Sequence, residues 1–336
     1  MKVLFHAYNT CCQNESGGVQ VRVRKIHDLI VARGIQVDYF SPFETKLEDY
    51  DVLHVFRLDY ETYSLITCAK SKGVKVVLSS IVGITDAKKV DIYRWLDKFP
   101  FNTIYSQMFR IIELSDVIIA ESPREADFLI NHYGANKNKV KVLPNGIEDP
   151  KSVDESIFSL IGGRKKFVLQ VGRFDSNKNQ KNVIKALQNT SVDVVFIGGA
   201  PHSDNTHYYD ECVKLAAGRD NFHFLGWLKA ESKELQSAYK NAQALLLPSY
   251  SETFGLVAVE ASIYGTNVLL SNTLPIIEFN VYDKKLSFSP NNVQEIKASV
   301  DKVMKMSEYN EELRVKTQRV FSWESIINEH IKCYKS

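Results

Sequence analysis

Residues 246–272 read LLPSYSETFGLVAVEASIYGTNVLLSN, and this stretch indicates how the second half of the chain folds. The apolar run at 244–247 ends at a Pro-Ser pair, which predicts a buried strand closed by a turn. Apolar residues at helical spacing then predict a helix over 255–264, followed by a strand at 267–270. A strand, a helix and a strand in this order favour a parallel sheet.

The same stretch carries two glutamates, Glu252 and Glu260. Glu252 is predicted in the strand-to-helix loop and Glu260 about two turns into the helix. Helical side chains lean toward the N-terminus, so Glu260 can reach back toward the helix mouth, whose free N–H groups suit a phosphate. Together they could hold a nucleotide-sugar by its sugar hydroxyls, diphosphate and ribose. The alternative is that both glutamates are surface residues beside a core helix. Their spacing alone does not decide between these two interpretations.

Bulk properties exclude several classes of protein. The 336 residues suggest two domains, and 44% hydrophobic with 24% charged residues is typical of a soluble globular chain. A net charge of +2 gives no sign of nucleic-acid binding. The sequence has no apolar run long enough for a transmembrane helix. The opening MKVLFHAYNT predicts a core strand and not a signal peptide, so we expect a cytoplasmic protein.

The cysteines are odd in number and lack the spacing of a metal site: Cys11, Cys12, Cys68, Cys212 and Cys333. Free thiols in a reducing compartment are therefore expected. Cys11 and Cys12 either line a site near the glycines that follow or simply fill space.

Strand and helix patterns alternate along the whole chain. Strands are predicted at 2–7, 36–41, 52–56, 74–78, 117–120 and 140–143, and then at 167–171, 192–197, 222–225, 244–247 and 267–270. Helices are predicted at 19–32, 179–189, 206–217, 231–240, 255–264 and 321–334. The predicted fold class is α/β, with two doubly wound Rossmann-like domains facing a central cleft.

Four short elements, in this order, carry a resemblance to a known family. They are ESGGV at 15–19, LPNGI at 143–147, VLQVGRFDSNKNQKNVIKAL at 168–187 and SETFGLVAVEA at 251–261. The chain thereby resembles the retaining GT-B glycosyltransferases of the family 4 type. The resemblance implies an acceptor-side domain at 1–148, a nucleotide-sugar domain at 149–320 and a tail helix at 321–336 that packs back onto the first domain.

The resemblance also implies an activity. The chain would move a hexosyl unit from a nucleoside diphosphate sugar to a glycan or lipid-linked acceptor, in polysaccharide or glycoconjugate synthesis. UDP-sugars are favoured as donors, and GDP-mannose is the alternative. Front-face attack, with the leaving phosphate accepting the proton, would need no metal or other cofactor; the sequence offers no carboxylate pair of the glycosidase kind.

Site residues follow from matching the family motifs. Arg173 and Lys178 are expected on the diphosphate, where negative charge grows as the glycosidic bond breaks, and Glu252 on the donor sugar. Glu260 is expected on the ribose. The remaining donor-binding positions offer backbone atoms or close approach: Gly17, Gly18, Gly172, Thr253, Phe254 and Gly255. The alternative for Lys178 is a solvated loop, SNKNQK.

The chain departs from the family pattern at two places. Where the family often has Lys-Gly, this chain has Lys178–Asn179, which asparagine tolerates if its φ is positive. Many members have a histidine after the fourth strand, whereas this chain reads VVLSSIVGITD, with Ser79 and Ser80. This departure leaves open how the sugar's C6 hydroxyl is held. His54 is either a core histidine or a cleft residue.

Residues 88–115 interleave aromatic and basic side chains. Such a stretch either lies on the inner face of a membrane or forms a helix pair on the sheet with snorkelling lysines. Two other functions remain to be weighed: a catalytically weak GT-B shell that binds a nucleotide-sugar or scaffolds a partner, and a nucleotide-sugar 2-epimerase. The epimerases lack the Gly-Arg, Lys and paired-glutamate elements found here.

Overall fold

The chain forms two compact units. The computed structural model describes residues 1–7, 18–82, 87–100, 102–150, 153–200, 206–229 and 232–336. One unit comprises residues 1–146 together with 323–336, and the other comprises 147–322. The sequence placed the two junctions at 148/149 and 320/321, close to the boundaries found here.

The first unit contains a parallel sheet in the order β2-β1-β3-β4-β5-β6. Its strands are β1 Lys2–Ala7, β2 Gln36–Tyr39, β3 Val52–Phe56, β4 Lys75–Ser79, β5 Val117–Ala120 and β6 Val140–Val142. Its first five helices are α1 Gly18–Val31, α2 Tyr63–Ser71, α3 Ala87–Leu96, α4 Ile104–Leu114 and α5 Pro123–Phe128. Every residue of β3 is buried, because helices cover both faces of a parallel sheet.

The second unit contains a parallel sheet in the order β11-β10-β7-β8-β9. Its strands are β7 Phe167–Val171, β8 Asp193–Ile197, β9 Phe222–Phe224, β10 Ala244–Leu247 and β11 Asn267–Leu270. Its helices are α6 Ser156–Leu160, α7 Gln180–Leu187, α8 His207–Ala216, α9 Lys233–Asn241, α10 Leu256–Ser262, α11 Val293–Val303 and α12 Glu311–Phe321. Parallel strands alternating with helices in both units confirm the predicted α/β class.

The last helix, α13 Trp323–Lys335, belongs to the first unit. It buries Ile327 and Tyr334 against the sheet and α1. The predicted start of this helix at Phe321 was wrong, because Phe321 ends α12 and is fully buried in the core of the second unit. No helix among the described residues is long and apolar enough to cross a membrane.

A buried histidine pair lies where α13 meets the sheet. His54 Nδ1 is 2.7 Å from Tyr334 Oη, and His54 Nε2 is 2.9 Å from Ser79 Oγ. His54 is fully buried, which confirms the core histidine over the cleft residue. His330 on α13 is also fully buried, and neither of its ring nitrogens has a hydrogen-bond partner among the described residues.

We expect acid to destabilise the protein through His330. Burial lowers the pKa of His330 to about 3, with nearby Arg22 as the lesser cause. The unfolded chain therefore binds a proton below pH 6.5 that the folded chain excludes. This contribution to stability is present above pH 6.5 and is lost as the pH falls toward 3. Between pH 7 and pH 5 the free energy of unfolding should fall by about 2 kcal/mol from this residue.

Urea unfolding at both pH values tests this expectation, with His330→Leu as the comparison. Burial also lowers the pKa of His54 well below its usual value, so the leucine variant should lose the His330 part of the pH dependence and keep the part that comes from His54. An unchanged pH dependence in the variant would contradict the buried neutral state of His330.

Candidate active site

Two loops meet at the carboxyl edge of the second sheet. One follows β7 and runs through Gly172 to a 3₁₀ turn at Ser176–Lys178; the other follows β10 and runs from Pro248 to Gly255. β7 is the first strand of this unit and β10 the fourth, and they are neighbours in the sheet. The strand order reverses between them, and ligands of open α/β sheets bind at such a point.

Lys178 and Glu252 form an ion pair between these loops. Lys178 Nζ donates a hydrogen bond to Glu252 Oε1 at 2.5 Å. The two side chains are only 17% and 15% exposed, so their attraction is screened less than that of a surface pair. The structure thus brings together one predicted cation and one predicted carboxylate.

Asn177, which the sequence reasoning missed, fastens the two loops together. Its Nδ2 donates to Ser251 O at 2.9 Å, and its Oδ1 accepts from Ser251 N at 3.0 Å. Asn177 O also accepts from Tyr250 N at 2.9 Å.

The turn that contains Asn177 is closed by Asp175, whose Oδ1 accepts from Lys178 N at 2.9 Å. The Asp-x-x-Lys turn was the available signal, because an aspartate side chain commonly closes such a turn.

Asn179 stands where the family often has a glycine after the lysine, and its contacts explain the difference. Its φ is +61°, as the sequence analysis required, and its Nδ2 donates to Pro248 O at 3.1 Å and Pro290 O at 2.8 Å. A glycine would supply the backbone conformation but neither hydrogen bond. Asn179 and Gln180 are both buried, so the solvated-loop alternative was wrong for this part of the segment.

Glycines let the backbone pack closely at this edge. A Cβ on Gly198, which follows β8, would lie 2.0 Å from Gly172 O. Gly172 N donates to Ile197 O at 2.9 Å. Gly255 precedes α10 with φ +105°, a conformation that other residues rarely adopt. The predicted helix over 255–264 is therefore shorter, and Gly255 serves as its N-cap.

Arg173 lies on the same loop as Lys178 but has its own ion partner. Arg173 Nη2 is 3.5 Å from Asp175 Oδ2, and the arginine side chain is 60% exposed. Its carbonyl oxygen accepts from Gln180 Nε2 at 2.7 Å, which fixes the backbone and leaves the guanidinium in solvent.

Thr253 and Phe254 differ in what they can offer a ligand. Phe254 is buried, edge-on to Phe279 and Phe321, so its side chain belongs to the core. Thr253 is exposed. Within the described residues the backbone N–H groups of Thr253, Phe254 and Gly255 have no protein acceptor, and these groups remain for a ligand.

Glu260 contacts a neighbour that the sequence did not indicate. Glu260 Oε2 accepts from Tyr239 Oη on α9 at 2.6 Å. Burial raises the pKa of Glu260, and the hydrogen bond from Tyr239 opposes that rise. The Glu260 side chain on α10 therefore contacts α9. The sequence had predicted that it reaches toward the N-terminus of its own helix.

The first unit holds the remaining predicted positions. Gly18 is the first residue of α1, and Gly17, Cys11 and Cys12 lie outside the described residues. Ser79 and Ser80, which stand where the family often has histidine, are fully buried, and Ser80 Oγ donates to Glu125 Oε1 at 2.7 Å.

Both halves of the chain match models of known glycosyltransferase families. Residues 154–320 match the family described as Glycosyl transferases group 1, and residues 44–150 match Glycosyltransferase Family 4. A 41.2 kDa protein of the cps region of Klebsiella pneumoniae is 30% identical over 260 residues, which cover 74% of this chain and 68% of that protein. The D-inositol 3-phosphate glycosyltransferase of Rhodococcus opacus is 28% identical over 176 residues, 48% of this chain and 39% of that enzyme.

Solved structures agree on the fold. HepE from Anabaena in complex with UDP superposes with a TM-score of 0.74 at 17% identity, covering 99% of both chains. The same protein in complex with UDP-glucose superposes with a TM-score of 0.71 at 16% identity, again over 99% of both chains. These likenesses place the chain among GT-B folds.

Proposed function

The chain belongs to the group 1 glycosyltransferases, and from that premise we propose that it transfers a hexosyl unit from a nucleoside diphosphate sugar to a glycan or lipid-linked acceptor with retention of configuration. The observation that carries this proposal is the Lys178–Glu252 pair at the point where the strand order reverses. The cation there can bind the diphosphate of such a donor, and the carboxylate can accept hydrogen bonds from its sugar hydroxyls.

Donor binding would exchange the partners within this pair. In the structure, Lys178 and Glu252 neutralise each other. With donor, Lys178 would turn to a phosphate oxygen and Glu252 would accept a sugar hydroxyl. Arg173, on the same loop, would add a second positive charge to the diphosphate. These cations stabilise the leaving group most when its charge is greatest, which is in the transition state.

The chemical step we propose is front-face attack. The glycosidic C–O bond breaks toward the diphosphate, the acceptor oxygen bonds to the anomeric carbon on the same face, and a leaving-phosphate oxygen takes the acceptor's proton. Free N–H groups at 253–255 would hold the donor during this step. The protein's charged groups then supply electrostatic stabilisation, and we propose that no metal takes part.

We favour UDP-sugars as donors. HepE, which shares the fold, was solved with UDP and with UDP-glucose. We expect backbone atoms at the ends of β8 and β9, where Gly198 N donates to Gly226 O at 2.7 Å, to contact the base. The relative from a cps region supports a role in polysaccharide assembly, which we place on the cytoplasmic side of the membrane.

A turnover assay with a panel of UDP-sugars and GDP-mannose tests the proposal. Release of UDP from one sugar, dependent on a glycan or lipid-linked acceptor extract, is the expected result, and proton NMR of the new linkage should show the donor's anomeric configuration. Inversion would overturn the front-face mechanism. Binding of a donor without turnover under any acceptor condition would instead favour the nucleotide-sugar-binding shell.

A contact with anionic lipid is the second part of the proposal. Helix α3 packs into the first unit through Val90, which is fully buried, and through Tyr93, which stacks on Tyr105 at 4.3 Å between ring centroids. Its other face exposes Ile92 and Trp95, and Phe99 follows in the turn after the helix; these side chains are 58%, 56% and 46% exposed. Lys88 and Lys98 are neighbours of this apolar stripe in the sequence, whereas Lys89 Nζ lies over the Tyr105 ring, 6.0 Å from its centroid. An apolar face bordered by lysines suits the surface of an anionic bilayer.

Trp95→Ser combined with Phe99→Ser should lower binding to vesicles containing phosphatidylglycerol by about tenfold or more, because each ring loses apolar burial in the interface. Co-sedimentation measures the bound fraction, and vesicles of phosphatidylcholine alone show the contribution of charge. Phe43→Ser is the matched control, since Phe43 is 99% exposed elsewhere on the first unit. Equal binding by all three proteins would refute the contact.

A further inference from the structure

Tyr239 is the buried partner of Glu260. It lies on α9, 3% exposed, and donates its hydroxyl to Glu260 Oε2 at 2.6 Å. Thr266 Oγ1 donates to the carbonyl oxygen of Tyr239, which ties the end of α9 to the start of β11. The ring packs in the buried apolar core of the second unit, and its hydroxyl is directed at Glu260.

We propose that Tyr239 is a positioning residue that holds the Glu260 carboxylate ready to accept the ribose hydroxyls of the donor. This inference rests on the proposed function, because it presumes that Glu260 meets the nucleotide. The hydrogen bond occupies Oε2 from the core side and fixes the carboxylate plane. Oε1 then remains for the ligand. A loose carboxylate would have to be ordered on binding, and that ordering costs affinity.

The bond also favours the ionised form of Glu260, which the proposed role requires because a carboxylate accepts hydrogen bonds from hydroxyl groups. Burial raises the pKa of Glu260, and the Tyr239 hydroxyl lowers it. The titratable groups beside Glu260 are Tyr239 on α9 and Tyr264, which follows α10. Both tyrosines have their pKa raised by burial and by Glu260, so both stay neutral near pH 7. Removing the Tyr239 hydroxyl should therefore move Glu260 protonation to higher pH.

The test compares Tyr239→Phe with wild type by calorimetric binding of UDP and of 2′,3′-dideoxyuridine diphosphate, which lacks the ribose hydroxyls. Tyr239→Phe should weaken UDP binding about tenfold at pH 7 and leave dideoxy-nucleotide binding unchanged. The acid fall in UDP affinity should begin at higher pH in the variant. GDP and its dideoxy analogue serve as the second pair of probes.

Tyr282→Phe is the matched control. Tyr282 is buried in the same core, and its hydroxyl is 3.5 Å from Ser262 Oγ. This variant should bind both nucleotides of each pair as wild type does.

Three results would overturn the inference. Equal weakening of UDP and dideoxy-nucleotide binding in Tyr239→Phe would mean general damage to the core. Unchanged UDP affinity and pH profile would mean that the hydroxyl positions nothing. Wild type that binds none of the four nucleotides would remove the proposed function and this inference together, whereas the first two results leave the proposed function standing.

Discussion

Replacing Lys178 with alanine should lower kcat for sugar transfer by about 10²–10³-fold, with a much smaller change in the KM of the donor. The reason is that negative charge on the diphosphate grows during bond cleavage, so the cation acts mainly on the transition state. Glu252 would also lose its ion partner, which the structure places 2.5 Å away. Initial rates at saturating donor measure the effect.

Lys181→Ala is the control for this prediction. Lys181 lies on α7, in the turn after Lys178, and pairs with Glu211 at the surface. It should keep wild-type kcat. A Lys178→Ala enzyme that turns over within a few-fold of wild type would show that the Lys178–Glu252 pair is a structural contact.

Replacing Asn179 with alanine should destabilise the second unit by about 2–4 kcal/mol. Two hydrogen bonds disappear at about 1 kcal/mol each, and alanine is strained at the φ of +61°. Pro248 O loses this donor in a buried place, whereas Pro290 O keeps its bond from Asn182 Nδ2. Chemical unfolding gives the change in free energy.

Asn179→Gly separates the two causes. Glycine adopts the positive φ without strain, so this variant should recover about 1 kcal/mol relative to alanine and still lack the hydrogen bonds. If the glycine variant is as stable as wild type, the side-chain bonds to Pro248 and Pro290 contribute nothing, and the account of the Lys-Asn departure is wrong.

The fold was predictable because its signals are local. Most strands contain a short apolar run, and burial on both faces makes such a run continuous, as in β10. The α1 stripe of Val23, Ile26 and Ile30 is buried as its period predicts. Helix ends were less predictable: periodicity placed a helix over 255–264, whereas α10 covers Leu256–Ser262, with Gly255 as its N-cap.

The site was predictable only in part. Motif order located Lys178 and Glu252, and the fold brought them together. The side-chain hydrogen bonds of Asn177 and Asn179 join loops that are far apart in sequence, so neither the Asp-x-x-Lys turn nor the positive φ of Asn179 indicates their partners. Tyr239 was missed for the same reason: its partner Glu260 is on the next helix, and a tyrosine in an amphipathic helix first indicates core packing.

Thermal unfolding with UDP, GDP and ADP, on wild type and Glu260→Ala, tests the central claim that the second unit binds a nucleoside diphosphate sugar. At a hundredfold excess over Kd a ligand adds about 2.7 kcal/mol, which raises Tm by roughly 5–10 °C for a unit of this size. We expect such a rise with one nucleotide, UDP first, and its loss in the variant. No rise with any of the three would contradict it.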